Sequence, residues 1–207
     1  MGQRNYGNGQ PDLKMAVMNR TFVLVSGAPG SGKSTLARTL APALRMPLLA
    51  KDIIKESIWD ALSPPTGDLD WSRRVGGAAM EVLWAVADLS SGAIIEANFR
   101  PHSDYERAKL AGLASHFVEV FCWCPPDIAQ QRYAERSEGS DHHPAHVTPL
   151  LTAELLAEFD QPMKVGDLIE LDTTLQVDTE KLAEDILDRL RQPSYLPEAR
   201  VSDISPA

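Results

Sequence analysis

Gly27-Ala28-Pro29-Gly30-Ser31-Gly32-Lys33-Ser34 satisfies G-x-x-x-x-G-K-[ST] at every fixed position, and its flanks give the pattern a structural setting. Upstream, Thr21-Phe22-Val23-Leu24-Val25-Ser26 is apolar and β-branched and reads as a buried strand. Downstream, Ser34 to Ala41 carries apolar residues at helical spacing. Strand, glycine-rich loop and helix in that order predict a nucleotide phosphate site. The glycines let successive backbone N–H groups turn inward toward an anion. Lys33 can reach the β- and γ-phosphates, and the Ser34 hydroxyl can ligate Mg²⁺. The helix N-terminus adds its dipole to the same place. The candidate nucleotide-binding residues are therefore Gly27 through Ser34, with Thr35 beside them.

The chain of 207 residues suits one domain, expected over residues 19–192. Residues 1–18 read as a flexible lead-in and 193–207 as a proline-bearing tail. A hydrophobic share of 43% fits a globular protein, and no apolar run approaches the ~20 residues of a membrane helix. Met1 to Pro11 is polar, without the apolar centre of a signal peptide, so a cytoplasmic location is expected. Cys122 and Cys124 stand at i and i+2, at the end of an expected strand. Two buried thiols in a reducing compartment are expected there, rather than a disulfide or a metal pair. A net charge of −9 counts against a protein that coats nucleic acid. It counts only weakly against one that holds a single nucleotide terminus.

Beyond the first helix, strand and helix signals alternate. Strands are expected at Pro47–Ala50, Ala93–Ile95, Phe117–Trp123 and Asp167–Leu171. Helices are expected at Asp52–Trp59, Asp70–Leu89, Asp104–Ala114, Pro126–Arg136, Pro149–Phe159 and Asp178–Arg191. Such alternation predicts an α/β fold with a parallel sheet covered by helices on both faces. Ligands in these folds bind at the carboxyl ends of the strands, so the residues there carry the candidate chemistry.

After the second strand, Asp52 faces the expected γ-phosphate and could orient an acceptor hydroxyl and take its proton. Capping the following helix is its other expected role. After the third strand, Glu96 is placed to act near Mg²⁺ and its waters, while Asn98 and Arg100 could hold substrate oxygens. After the fourth, Arg132 and Arg136 share a helix face at i and i+4. Their repulsion is relieved by an anion, and an arginine there stabilises charge during phosphoryl transfer; Glu135 and Glu138 offer the alternative of a solvated, paired face. Asp141-His142-His143-Pro144-Ala145-His146 lacks the spacing of a metal site and reads as a polar lid loop. After the fifth strand, Thr173 could lie beside the base of a bound nucleotide.

GAPGSGKSTLARTLA at 27–41, LLAKDIIKESI at 48–58, IIEANFRP at 94–101 and FCWCPPDIAQQRYAER at 121–136, with HHPAH after it, resemble AAA-type P-loop kinases. These are similar to polynucleotide 5′-hydroxyl kinases, chloramphenicol phosphotransferases, zeta toxins and the adenylate, shikimate and gluconate kinase group. The resemblance spans most of Thr21 to Arg191. It implies a P-loop NTPase fold with a five-stranded sheet in 2-3-1-4-5 order, a lid at about 132–148, and ATP with Mg²⁺. By position, Asp52 matches the acid that engages the acceptor hydroxyl. Glu96 and Arg100 match the acid and arginine of the strand-three loop, although Asp is more usual than Glu there. Arg132 and Arg136 match the lid arginines.

The expected activity is transfer of the γ-phosphate of ATP to a hydroxyl of a small molecule. Lys33, Asp52, Arg132 and Arg136 are the expected catalytic residues, Ser34 and Glu96 the metal site, and Asp52, Asn98 and Arg100 the acceptor site. A polynucleotide 5′-hydroxyl kinase and a nucleotide-dependent switch are the alternatives. Aromatics make up 6% of the chain and several fall on core strands, which disfavours the stacking surface of a single-strand binder. Nothing in the sequence selects the acceptor or the oligomeric state.

Overall fold

In a computed structural model, the protein is described over residues 20–65, 67–113, 116–139, 142–147 and 150–191. The expected lead-in 1–18 and tail 193–207 lie outside these residues, as do 140, 141, 148 and 149 of the expected lid segment and its flank.

β1 (Thr21–Ser26) leads through the glycine loop into α1 (Lys33–Leu44). β2 (Leu48–Ala50) runs directly into α2 (Lys51–Leu62), and α3 (Leu69–Leu89) returns the chain to β3 (Gly92–Glu96). α4 (Asp104–Leu113), β4 (His116–Trp123), α5 (Pro126–Glu138), α6 (Ala153–Ala157), β5 (Asp167–Asp172) and α7 (Thr179–Arg191) follow. The strands form one sheet in the order β2-β3-β1-β4-β5, as the family resemblance implied, and every pairing is parallel. All five therefore end on the same edge, which is where a doubly wound sheet binds its ligands.

β1 shows how period-two side-chain alternation builds the two cores. Phe22 and Leu24 face one layer with Leu83, Trp84, Leu110 and Phe117. Val23 and Val25 face the other with Leu36, Leu40, Leu182 and Ile186. Both faces of the central strand are covered, which is why its sequence is almost continuously apolar. Phe22 and Phe117 stack with ring centroids 5.7 Å apart across the β1–β4 pair. Cys122 belongs to the α1 and α7 layer, whereas Cys124, just past the end of β4, belongs to a small cluster under α5 and α6, so the two thiols are buried, free and separate.

Element ends differ from the sequence expectation in instructive places. α1 begins one residue earlier and tolerates Pro42 near its end, where Arg45 in the left-handed region donates its N–H to the Ala41 and Pro42 carbonyls. Asp68 caps α3 by accepting from the Asp70 and Trp71 amides. The helix expected over 149–159 is short: α6 starts only after Thr152, whose hydroxyl accepts from Leu155 N at 3.2 Å and fixes the start of the turn. Among the described residues, no helix is long and apolar enough to cross a membrane.

Candidate functional site

The glycine loop joins β1 to α1 through backbone that only glycine adopts without strain. Gly27 has φ +137° and Gly30 φ +81°. A Cβ on Gly27 would stand 2.3 Å from the Cys122 carbonyl oxygen, and one on Gly30 would stand 2.2 Å from that of Ala129. The loop is thus pressed against the end of β4 and the start of α5. Gly32 is the N-terminal cap of α1, with no side chain capping the helix. The first amides of α1 are left without intrahelical partners, an arrangement that favours an anion.

Lys33 is only 5% exposed. Its Nζ donates to the Ala28 carbonyl at 3.3 Å and lies 4.0 Å from Glu96 Oε1. Ser34 Oγ donates to the same carboxylate oxygen at 3.0 Å. Glu96, the last residue of β3, is 2% exposed. Burial pushes its carboxyl above the usual range, against the opposing pull of Lys33 and the Ser34 hydrogen bond. A buried carboxylate beside a serine hydroxyl at the foot of the loop is a donor set suited to a hard divalent cation that keeps several waters. Among the described residues, no group of three or more His, Cys, Asp or Glu forms a metal cage.

Outside the loop lies a cavity of about 640 Å³, lined by Gly32, Lys33, Thr35, Arg132, Arg136 and Thr173 among others. Arg132 and Arg136 project from regular α5 helix. Arg132 donates to Thr173 Oγ1 at 3.3 Å and to the Thr173 carbonyl at 2.9 Å. The Thr173 hydroxyl in turn donates to the Ser31 carbonyl at 2.8 Å. The residue after β5, placed in the sequence by position alone, is therefore the bridge between α5 and the loop. Arg136 is exposed and lies over the Tyr133 ring at 5.3 Å.

On the other side of the loop, Asp52 stands in the first turn of α2, whose N-cap position is Ala50. Burial pushes its carboxyl up, but Lys51, Lys33, His146 and Lys55 together hold it below the usual carboxylate range. Lys51 Nζ is 3.8 Å from Asp52 Oδ1. Lys55, which sequence reasoning did not single out, is 8% exposed and donates to Ser72 Oγ of α3 at 2.9 Å. Burial, with the Lys51 charge, lowers its ammonium to about 8, despite Asp52 and Glu56. The histidine segment docks on these same helices. Ser72 Oγ donates to the Ala145 carbonyl at 2.6 Å, and Ala145 is fully buried against Trp59 and Val75.

Asn98 follows β3 with its Oδ1 buried and, among the described residues, without a hydrogen-bond partner. Arg100 points away from the loop: its Nε donates to Glu158 at 2.8 Å, its guanidinium is 3.9 Å from Glu106, and it lies over Phe159. Glu119, also unmarked in the sequence reading, is fully buried in β4. It accepts from Ser26 Oγ at 2.8 Å and from the Met163 and Lys164 amides at 2.7 Å. A carboxylate in the middle of the apolar string Phe117–Trp123 was the available signal.

Residues 22–162 match the family described as AAA domain. A solved structure of a candidate kinase from Chloroflexus aurantiacus J-10-fl is similar at 28% identity and a TM-score of 0.73, covering 83% of this chain and 99% of that one. APS kinase from Mycobacterium tuberculosis, solved with AMPPNP and APS, is similar at 22% identity and a TM-score of 0.52, covering 84% and 99%. Shikimate kinase from Acinetobacter baumannii, solved with shikimate, is similar at 18% identity and a TM-score of 0.50, covering 84% and 94%. These last two share the fold. The comparison with curated proteins finds no match. With the loop, the sheet order and the family match in agreement, the chain belongs to the AAA domain family and carries the fold of the P-loop kinases.

Proposed function

We propose that this protein is an ATP-dependent phosphotransferase that moves the γ-phosphate of ATP to a hydroxyl of a small molecule. The observation that carries the reading is the buried cluster of Lys33, Ser34 and Glu96 at the foot of the glycine loop, with Asp52 opening α2 at the same sheet edge. The Lys33 ammonium that would hold the phosphates also helps keep Asp52, across the cleft, below the usual carboxylate range. A phosphate-side cation and an acceptor-side base thus share one field at the carboxyl edge of the sheet.

In this reading the loop amides, Lys33 and Thr35 hold the phosphates, and Thr173 borders the nucleotide. Ser34 and Glu96 would hold Mg²⁺, which when bound supplies neutralising charge at the β- and γ-phosphates. Asp52 orients the acceptor hydroxyl and takes its proton. Arg136, exposed on the cavity wall, is free to meet the transferred group, while Arg132 is braced by Thr173. Asn98, with an unsatisfied buried oxygen, suits a substrate hydroxyl. Arg100 would reach substrate only by leaving Glu158.

The test is a screen with γ-labelled ATP against pooled small hydroxyl metabolites, antibiotics and 5′-hydroxyl oligonucleotides. Label is expected in a small alcohol. In Asp52→Asn, nucleotide is expected to bind normally and transfer to fall at least 100-fold, the order of a positioned acid–base group. Full turnover by Asp52→Asn would remove Asp52 from the mechanism. Transfer to oligonucleotides alone would replace the small-molecule reading with an end kinase.

A further inference from the structure

A second cavity, of about 190 Å³, borders the phosphate loop. Ala28 and Ser31 of the loop line it, with Phe121 and Trp123 of β4, Leu156 of α6, and Phe159. No residue lines both cavities: the larger one takes Gly30, Gly32 and Lys33 from the loop, and this one takes Ala28 and Ser31. An apolar cavity of about 150 Å³ admits a benzene ring, so the space here is that of one small ring. Trp123 is 45% exposed and Asp160, also at the cavity, is exposed, which gives it access to solvent.

The polar groups around this space narrow what fits it. Ser31 is 1% exposed. Its amide donates to the Ala28 carbonyl at 3.1 Å, and its carbonyl accepts from the Thr173 hydroxyl at 2.8 Å. Its own hydroxyl has no hydrogen-bond partner among the described residues and so bears its full desolvation penalty. Cys124, also at the cavity, turns its thiol to the Gly30 carbonyl, 4.0 Å away. None of the lining residues is basic, and the one acid among them is the exposed Asp160. A phosphate or carboxylate would meet no cation there. A polyol would lose water from several hydroxyls against carbon, with Ser31 as the one buried partner left open.

We propose that this cavity is a ligand site separate from the nucleotide cavity, and that it takes a small uncharged ring bearing one hydrogen-bonding group. The ring packs against Phe121, Leu156 and Phe159, and the polar group pairs with Ser31 Oγ. The site goes beyond the phosphotransferase reading. The same chemistry suits two sources, an acceptor alcohol or an effector that bears on the phosphate loop.

The experiment titrates the full chain with benzyl alcohol, toluene and myo-inositol, followed by two-dimensional NMR of the backbone amides. Benzyl alcohol is expected to bind saturably and to shift the amides of Ser31, Cys124 and Leu156, leaving Val177 and Thr179 of the larger cavity in place. Absence of saturable binding, or shifts that gather elsewhere, overturns the proposal. Binding of myo-inositol at the cavity overturns the ligand class. Ser31→Ala isolates the hydroxyl: with backbone spectra otherwise native, it is expected to lower the preference for benzyl alcohol over toluene about 5-fold or more, the size of a hydrogen bond. An unchanged preference overturns the pairing with Ser31. Incubation with γ-labelled ATP then separates the two sources. Label in benzyl alcohol marks the occupant as an acceptor, and saturable binding without label marks it as an effector. Binding is read without nucleotide, so its failure leaves the phosphotransferase reading standing, and a failed search for an acceptor leaves the site standing.

Discussion

Glu119 shows what a single residue can conceal. Its position in β4 looks like a misplaced charge in an apolar strand, yet its two oxygens satisfy the Ser26 hydroxyl and two consecutive backbone amides. The carboxylate ties the turn at Met163–Lys164 to the central sheet, and Lys164 sits there at φ +55°. Removing the side chain leaves three donors without an acceptor, two of them from buried residues. Glu119→Ala is therefore expected to destabilise the protein by about 3 kcal/mol or more, measured by urea denaturation. A loss below 1 kcal/mol would mean that water replaces the carboxylate. The glycine loop is the opposite case. Its residues state their role through spacing alone, because φ and close approach exclude every other residue type at Gly27 and Gly30.

Among the elements, α2, α3 and the histidine segment behave as one unit. Lys55 links the two helices through Ser72, and Ser72 passes the connection to the segment. A buried ammonium lowered to about 8 from an ordinary 10.5 has a defined sign for stability. Below pH 8 the lysine is charged in both folded and unfolded chains, and the folded state bears the full burial penalty. Between pH 8 and 10.5 the unfolded chain binds more protons, so the penalty is relieved as pH rises. The wild type is thus expected to gain stability relative to Lys55→Met across that window, by about 3 kcal/mol at most. Denaturation midpoints measured from pH 7 to 11 check it, and a constant difference between the two proteins would contradict it. The local sequence around Lys55 and Ser72 gives no hint of this link. Lys55 and Ser72 meet only because α2 and α3 pack against each other.

At the scale of the whole molecule, five strand ends converge on one edge. The loop after β1, Asp52 after β2, Glu96 at the end of β3, α5 after β4 and Thr173 after β5 all lie at that edge. A nucleotide bound there would join elements otherwise connected mainly through the sheet. AMPPNP with Mg²⁺ at a hundredfold excess over its Kd is expected to stabilise the protein by about 2.7 kcal/mol, seen as a raised thermal midpoint. The shift should vanish in Lys33→Ala, whose sheet and helices are unchanged by circular dichroism. An equal shift in that variant would place the nucleotide elsewhere. The sequence by itself determined the α/β alternation, the phosphate loop and the strand-end residues, because periodicity, glycine conformation and apolar runs are local properties of the chain. Tertiary structure alone decided which of those residues act together. Thr173 bridges Arg132 to the loop, Arg100 turns to Glu158, and His146 reaches Glu56 across 90 residues of sequence. Such contacts depend on how helices seat against a shared sheet, and no local pattern encodes that geometry.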